Sequence, residues 1–173
     1  MKLILETERL IMRPLKLSDA EDFFIMNNNP NVNMYLRNPI QTKIEAEQYI
    51  QKIIQEYQKN EIARFAVILK ETNTLIGFSG LKYRDKIENN HINFYDLGYR
   101  FAEKYWHNGF ATEAAIAWLE HGFKTIKLST IHACAVSENI GSNKVLQKVG
   151  FQFVNQYSVT NSIHNWYTLE HKI

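Results

Sequence analysis

The residues best suited to bind an anion lie in the segment 105–114 (YWHNGFATEA), which joins a strand-like run to an alanine-rich helical one. Gly109 and Ala111 are small, so the backbone there can approach a ligand closely. The first N–H groups of the following helix have no partner within the helix, and the positive end of its dipole lies behind them. This combination favours a phosphate or pyrophosphate group.

The neighbouring segments predict a larger cofactor site around this turn. The residues 96–101 before it have strand character, and a second strand leads into 139–151 (NIGSNKVLQKVGF), where Asn139 and Ser142 are of types that cap helices. Two strands, a phosphate-sized turn and two helices in this order indicate a cofactor with a nucleotide tail. Lys144 either reaches the phosphates of that cofactor or is a solvated surface residue.

The composition is that of a globular protein. A chain of 173 residues with 45% hydrophobic side chains predicts one domain, residues 1–173, with a substantial core. The net charge of +2 gives no reason to expect a membrane or nucleic-acid partner. The lone Cys134 excludes an internal disulfide, and no apolar run has the length of a signal peptide or a membrane span. We therefore expect a cytoplasmic protein, as a monomer or a homodimer.

The elements that must position the turn alternate between strands and helices. We predict one helix with a capping box of Ser18 and Glu21, and a second with Thr42 and Glu45. The second helix buries a stripe of four residues, Ile50, Ile53, Ile54 and Tyr57. Further strands are predicted at 65–69, 75–81, 92–101, 128–136, 151–154 and 166–169, further helices at 111–123 and 140–149, and loops at 28–41, 85–91 and 155–165. This order predicts a mixed α/β domain with one sheet and helices on both faces.

Several motifs in this order resemble the GNAT superfamily of N-acetyltransferases, which bind acetyl-CoA. The family's pyrophosphate motif, Gln/Arg-x-x-Gly-x-Gly/Ala, corresponds to residues 106–111, and Trp106 at its first position is a departure. A tryptophan there, followed by GFATEA, is similar to the branch of ribosomal-protein amino-terminal acetyltransferases. The opening ETERLIMRPL and the pattern Asn-x-x-Ser-x-x-x-Leu-x-Lys-x-Gly-Phe at 139–151 resemble the same branch. The resemblance covers essentially the whole chain.

The resemblance implies an acyl-CoA N-acyltransferase fold, with a mostly antiparallel sheet in which two adjacent parallel strands, 92–101 and 128–136, splay apart. It implies that the pantetheine arm of acetyl-CoA pairs with backbone near Tyr99 and Phe101. The pyrophosphate would bind the turn formed by Trp106, His107, Asn108, Gly109, Phe110, Ala111 and Thr112. Asn139 and Ser142 would contact the pantetheine arm and the thiol end, and the first two helices would form the acceptor site.

Acetyl transfer to an amine requires that the amine lose its proton and that the leaving thiolate gain one. Asp96 is either the base, acting through a water, or a strand-end aspartate bound to backbone or to a surface lysine. Many members of the superfamily place a tyrosine acid where this chain has Leu146, so Ser142 becomes the candidate donor to the sulfur. His107 is expected to act through its backbone N–H in the phosphate turn, and Cys134 to be a core residue. The histidines show no metal-ligand spacing.

We therefore expect an enzyme that transfers an acetyl group from acetyl-CoA directly to a primary amine, without an acyl-enzyme. The acceptor is either the α-amine of a protein N-terminus or a small-molecule amine, and the sequence does not distinguish them. A catalytically silent CoA-binding or sensing module is the alternative. A third hypothesis is an RNA- or ribosome-associated binding domain, which only the branch resemblance and the small positive charge support.

Overall fold

The computed structural model describes residues 3–36 and 38–171 and contains one eight-stranded sheet. Its strands are β1 (Leu5–Glu6), β2 (Leu10–Arg13), β3 (Arg64–Leu69), β4 (Thr74–Arg84), β5 (Phe94–Phe101), β6 (Thr130–Val136), β7 (Gln152–Val159) and β8 (Ser162–Glu170). The helices are α1 (Ala20–Asn27), α2 (Pro30–Asn33), α3 (Lys43–Asn60), α4 (Phe110–Glu120) and α5 (Ile140–Lys148).

The sheet has the strand order β1-β2-β3-β4-β5-β6-β8-β7. Its neighbouring strands are antiparallel except for β5 and β6, which are parallel. Within the described residues, β5 and β6 share a single registered pair, Asp96 with His132. The two strands therefore part in the middle of the sheet, and the predicted mixed α/β fold with one splayed parallel pair is confirmed.

Helices cover both faces of the sheet. On one face, the Phe78 ring of β4 lies 5.4 Å from Phe23 of α1 and 6.0 Å from Tyr49 of α3. On the other, Phe65 of β3 packs edge-on against Trp118 of α4, with ring centroids 4.9 Å apart. We call these the α3 face and the α4 face.

Side chains alternate between these faces along each strand. Phe78 is paired with Arg100 across β4 and β5, so Arg100 lies on the α3 face, as does Asp96. Tyr99 lies on the α4 face, where its hydroxyl contacts α5. β5 therefore presents the charged Asp96 and Arg100 to the α3 face and the phenol of Tyr99 to the α4 face.

Several predicted elements are confirmed. Thr42 and Glu45 form the predicted capping box at the start of α3, because each side chain accepts a hydrogen bond from the other residue's backbone N–H. Ile50, Ile53 and Tyr57 are buried, and Ile54 is half-buried. The predicted hairpin of β3 and β4 also forms.

Other predictions were wrong in detail. Ser18 does not cap the first helix, because it lies inside a 3₁₀ turn, Leu17–Asp19. At the start of this turn the Asp19 carboxylate, held in place by Arg13, accepts a hydrogen bond from the Lys16 N–H. The predicted loop 155–165 is mostly strand, with β7 and β8 paired up to a turn at 160–161. β5 begins at Phe94 rather than at 92, after a left-handed residue at Asn93.

Candidate functional site

The turn before α4 has the backbone geometry that anion binding requires. His107 and Gly109 have φ values of 62° and 81°. Gly109 is the N-cap residue of α4, and no side chain caps the helix there. The helical hydrogen-bond pattern starts only at the Glu113 N–H, which donates to the Gly109 carbonyl at 3.0 Å. The N–H groups of residues 110–112 therefore have no acceptor within the helix and point out of its positive end.

A salt-bridged network holds this turn against the start of the chain. The Glu113 carboxylate accepts hydrogen bonds from the Thr7 hydroxyl, from the Arg9 N–H at 3.0 Å and from the Arg9 guanidinium at 2.7 Å. Arg9 also donates to the Asn108 carbonyl at 3.0 Å and lies 4.5 Å above the Phe110 ring. Partial burial would raise the pKa of the Glu113 carboxyl, but the bonds from Thr7 and Arg9 outweigh it and lower the pKa. Glu113 is in the first turn of α4, where the helix dipole favours a negative charge.

At the other end of the site, α5 begins beside β5. The Asn139 side-chain oxygen accepts the Ser142 N–H at 3.1 Å, so Asn139 caps α5. The Tyr99 hydroxyl donates to the Ser142 carbonyl at 3.0 Å and lies 3.3 Å from the Ser142 hydroxyl. Burial raises the pKa of the Tyr99 phenol well above its ordinary value, so it remains a proton donor at neutral pH.

The remaining predicted site residues occupy distinct positions. The Trp106 indole donates to the Phe101 carbonyl at 2.8 Å and joins the end of β5 to the turn. Asn108 donates to the Trp106 carbonyl. The Phe101 and Phe110 side chains are in the core, so only their backbone groups can face a ligand. His107 on the turn and Lys144 on α5 are exposed, and Ala111 and Thr112 are half-buried.

Asp96 is buried between two arginines on the α3 face. Arg64 donates to its carboxylate at 2.9 Å, and Arg84 donates twice at 3.1 Å. The Arg64 guanidinium lies so close to Gly98 that a Cβ there would be 2.3 Å from its nearest nitrogen, which explains the glycine. Burial alone would raise the pKa of the Asp96 carboxyl, but the two guanidinium groups hold it below its ordinary value. A carboxylate held by two arginines is a poor proton acceptor. These contacts therefore favour a structural role for Asp96 over that of a base, with two arginines as its partners where a lysine was expected.

Two further predictions concern side chains of the core. Leu146, at the position of the family's tyrosine acid, is buried and packs in the core. Cys134 is half-buried on β6, and burial raises the pKa of its thiol to about 11. Its thiol is therefore protonated at neutral pH, and the low reactivity expected for it follows.

The α3 face also carries features that the sequence did not indicate. Arg100 donates to the side-chain oxygen of Asn27 at the end of α1, and its guanidinium lies 5.0 Å from the centre of the Phe78 ring. A cleft of about 640 Å³ lies between α3, the end of β4 and β7, and is lined mainly by charged residues, among them Glu56, Lys59, Lys82, Arg84 and Glu88. Sequence reasoning missed Arg9, Arg64, Arg84, Arg100 and the Tyr99 phenol, because each acts on residues distant in the chain.

Two absences apply to residues 3–36 and 38–171. In this part of the chain, no helix is both long and apolar enough to cross a membrane. Nor do three or more His, Cys, Asp or Glu side chains come together there as a possible metal site.

Comparison with known proteins places this geometry in a family. Residues 9–152 match the model of the acetyltransferase (GNAT) domain. The chain is 34% identical over 150 residues to the uncharacterized N-acetyltransferase YoaA of Bacillus subtilis (strain 168), an alignment that covers 86% of this chain and 82% of the relative.

Solved structures share the fold. A GNAT-family acetyltransferase from Bacillus anthracis matches with a TM-score of 0.83 at 26% identity, covering 97% of this chain and 98% of that one. The ribosomal L7/L12 α-N-protein acetyltransferase RimL, in complex with coenzyme A, matches with a TM-score of 0.80 at 15% identity, covering 97% and 98%. The extent of the family match and the identity to YoaA show that this chain is an acyltransferase of the GNAT acetyltransferase family.

Proposed function

We propose that this protein is a single-domain N-acetyltransferase that moves the acetyl group of acetyl-CoA directly to a primary amine. The observation that carries the proposal is the continuity of β5 with the turn before α4. The strand leaves its parallel neighbour after Asp96, and a single 3₁₀ turn, Glu103–Tyr105, connects its end at Phe101 to the turn before α4. A long cofactor with a pyrophosphate can therefore run along one strand edge and end on free N–H groups.

The proposed cofactor contacts follow from this path. The pyrophosphate binds the turn of Trp106, His107, Asn108, Gly109, Phe110, Ala111 and Thr112, mainly through backbone N–H groups. The pantetheine arm pairs with backbone of β5 near Tyr99 and Phe101, where β6 has turned away. Asn139 and Ser142 contact the pantetheine arm and the thiol end from the start of α5, and the exposed Lys144 reaches towards the phosphates. The structure of RimL with coenzyme A, on the same fold, supports this class of cofactor.

The reaction requires little from the protein beyond the positioning of the amine against the thioester. The amine attacks the thioester carbonyl, the tetrahedral oxyanion accepts a hydrogen bond from a β5 N–H, and the C–S bond breaks to release the thiolate. Ser142 donates a hydrogen bond to that thiolate, and the second proton, which the attacking nitrogen loses as the amide forms, passes through water to the sulfur. The proton of the incoming ammonium leaves through water, since Asp96 is held by Arg64 and Arg84. We assign Asp96 to positioning β5 rather than to catalysis.

The acceptor is an amine that approaches from the α3 face. Two classes fit the fold, the α-amine of a protein N-terminus and a small-molecule amine. RimL acts on a ribosomal protein α-amine, and it shares the fold of this chain.

Calorimetric titration with acetyl-CoA tests the proposal, with the variant Gly109→Asp and the matched control Gly150→Asp. Both glycines have positive φ, 81° and 102°, so both substitutions place a side chain in the same kind of strained backbone conformation. Only Gly109 lies in the proposed phosphate turn, and a carboxylate there repels a pyrophosphate. We expect micromolar binding to be lost in Gly109→Asp and kept in Gly150→Asp. Absence of binding to the unmodified protein overturns the proposal.

An acceptor screen that follows thiol release then tests the transfer itself. Turnover of a primary amine supports the proposal. Tight acetyl-CoA binding with no thiol release for any amine would instead leave a protein that binds the cofactor without transferring its acetyl group.

A further inference from the structure

Arg100 differs from the other arginines in the described part of the chain. Each of the others is paired with a carboxylate, Arg9 with Glu113, Arg13 with Asp19, and both Arg64 and Arg84 with Asp96. No carboxylate of the described residues lies within ion-pair distance of Arg100, whose hydrogen-bond acceptor there is the Asn27 side chain. A guanidinium does not lose its proton in proteins, so a half-buried positive charge is held here without a counter-ion.

The surroundings of Arg100 increase the need for an anion. Burial, the largest effect, lowers the pKa of its guanidinium; Tyr49 opposes this shift, and the positive charge of Arg64 adds to it. Phe78 fixes the plane of the group by stacking and Asn27 fixes its rotation, while most of its five N–H donors are left for a further partner. A planar guanidinium held in this way is suited to bidentate binding of a carboxylate or a phosphate.

The position of Arg100 connects this charge with the reaction. It lies on β5 beyond Asp96, in the stretch where β5 and β6 part. Its side chain is on the α3 face, whereas the adjacent Tyr99 contacts Ser142 on the α4 face. If acetyl-CoA lies on the α4 face, as the proposed function requires, an amine reaches the thioester from the α3 face and passes Arg100.

We propose that Arg100 determines acceptor specificity by binding an anionic group, a carboxylate or a phosphate, of the molecule whose amine is acetylated. The acceptor is then an amine with a negative charge close to its nitrogen. The class includes amino acids, peptides with an acidic first residue, and aminoalkyl phosphates. The positive charge of Arg100 also disfavours the protonated form of the amine beside it, which promotes attack. This inference rests on the proposed function and narrows its acceptor.

The test compares acceptors in matched pairs that differ by one charge. The pairs are glycine with glycinamide, a peptide beginning with Asp with one beginning with Asn, and phosphoethanolamine with ethanolamine. Thiol release from acetyl-CoA is measured for the unmodified protein, for Arg100→Gln and Arg100→Lys, and for the control Arg84→Gln, which removes a guanidinium of the same face that already has a carboxylate partner. Thermal unfolding of each variant shows whether it is folded.

We expect kcat/KM to favour the anionic member of at least one pair by about tenfold or more, the value of one charge-assisted hydrogen bond. That preference should vanish in Arg100→Gln, survive in part in Arg100→Lys and persist in Arg84→Gln. The pair that shows it identifies the source of the anion as a free amino acid, a peptide or a phosphate. Equal rates within every pair, or a preference that persists in Arg100→Gln, overturn the inference.

If acetyl-CoA binds but no amine of the panel is acetylated, direct anion binding decides. Phosphate and succinate are titrated calorimetrically into the CoA-loaded protein and into CoA-loaded Arg100→Gln. Binding that the variant loses supports the inference, and binding that is equal in both proteins or absent from both overturns it. A failure to bind acetyl-CoA at all overturns the proposed function instead, and with it the ground for this inference.

Discussion

The hydroxyl groups of Tyr99 and Ser142 lie 3.3 Å apart at the contact of β5 with α5. Because the Tyr99 hydroxyl donates to the Ser142 carbonyl at 3.0 Å, the Ser142 hydroxyl is free to turn its hydrogen towards the sulfur of bound CoA. We predict that Ser142→Ala raises the pKa of the thiol of bound CoA, since a hydrogen bond to the thiolate stabilises it. Tyr99→Phe should raise that pKa less, because Tyr99 acts by orienting Ser142. The ultraviolet absorbance of the thiolate, followed as the protein–CoA complex is titrated with base, measures both changes without an acceptor.

The double variant separates orientation from a general structural effect. If Tyr99 acts only through Ser142, adding Tyr99→Phe to Ser142→Ala changes the thiol pKa no further. A second shift of similar size in the double variant would contradict this and assign Tyr99 an independent role. Unchanged CoA affinity in Tyr99→Phe shows that the site itself is intact.

Asp96 supports a different prediction at the residue scale, one of stability. It is the counter-ion of both Arg64 and Arg84, and it and Arg64 are buried. Asp96→Asn leaves two guanidinium groups without a carboxylate, and breaking a buried ion pair in this way costs about 3–5 kcal/mol. Urea unfolding measures the loss. Asp85→Asn, which breaks an exposed pair with Lys59, is the control and should change the free energy of unfolding little. Equal stability of Asp96→Asn and the unmodified protein would show that Asp96 does not hold β3, β4 and β5 together.

At the scale of elements, the contact between the β1–β2 turn and the start of α4 sets the shape of the phosphate turn. Glu113 receives the Thr7 hydroxyl and two groups of Arg9, and Arg9 in turn donates to the carbonyl of Asn108 within the turn. We predict that Glu113→Gln weakens acetyl-CoA binding several-fold, because the turn loses the brace that orients its N–H groups. Glu120→Gln on the same helix removes only a solvent-exposed pair with Lys124 and should leave the affinity unchanged. Calorimetry measures both affinities, and equal values would show that the turn keeps its shape without the Glu113 carboxylate.

Element boundaries show where local sequence is informative. The Thr42–Glu45 capping box and the stripe of α3 were predictable, since both depend on residues three or four apart. The first helix forms where it was predicted, but its cap was wrong because Asp19 is held by Arg13, a contact that no cap pattern encodes. Likewise, 155–165 has no strand pattern of its own and is extended because its two halves, the end of β7 and the start of β8, pair with each other, with Tyr157 opposite His164.

At the scale of the whole molecule, the sequence predicts the sheet and the turn before α4 better than the side chains around them. The turn motif and the capped α5 are each local, so their types and spacing sufficed. The contacts that complete the site join distant residues: Arg64 and Asp96 are 32 positions apart, Tyr99 and Ser142 are 43 apart, and Arg9 and Glu113 are 104 apart. No spacing within a short segment encodes such pairs. The charge distribution on the α3 face, which the proposed acceptor depends on, was for this reason not predictable.

A final prediction concerns the acid stability of the whole fold. His132 lies where β6 meets both β5 and β8, with Thr168 at 2.9 Å from its ring and the rings of His91 and Trp166 packed on it at 4.6 and 5.1 Å. Burial lowers the pKa of His132 from 6.5 to about 4, and the neighbouring His91 acts in the same direction, against weaker opposing effects of a hydrogen bond with the Tyr167 backbone and of Asp96. Between these two values the unfolded chain binds a proton that the folded chain does not, so this contribution to stability is complete above 6.5 and is lost as the pH falls towards 4.

We predict that the urea midpoint falls as the pH is lowered from about 7 to about 5, the range in which histidine titrates. His132→Gln keeps a polar partner for Thr168 but does not titrate, so its midpoint should fall less over the same range. His107→Gln, at an exposed position, should follow the unmodified protein. Carboxylates whose pKa is lowered in the fold, such as Asp96, add their loss only at lower pH, near and below their ordinary values. If the urea midpoint of His132→Gln fell as much as that of the unmodified protein, the prediction would be wrong. The loss of stability would then arise from groups other than His132.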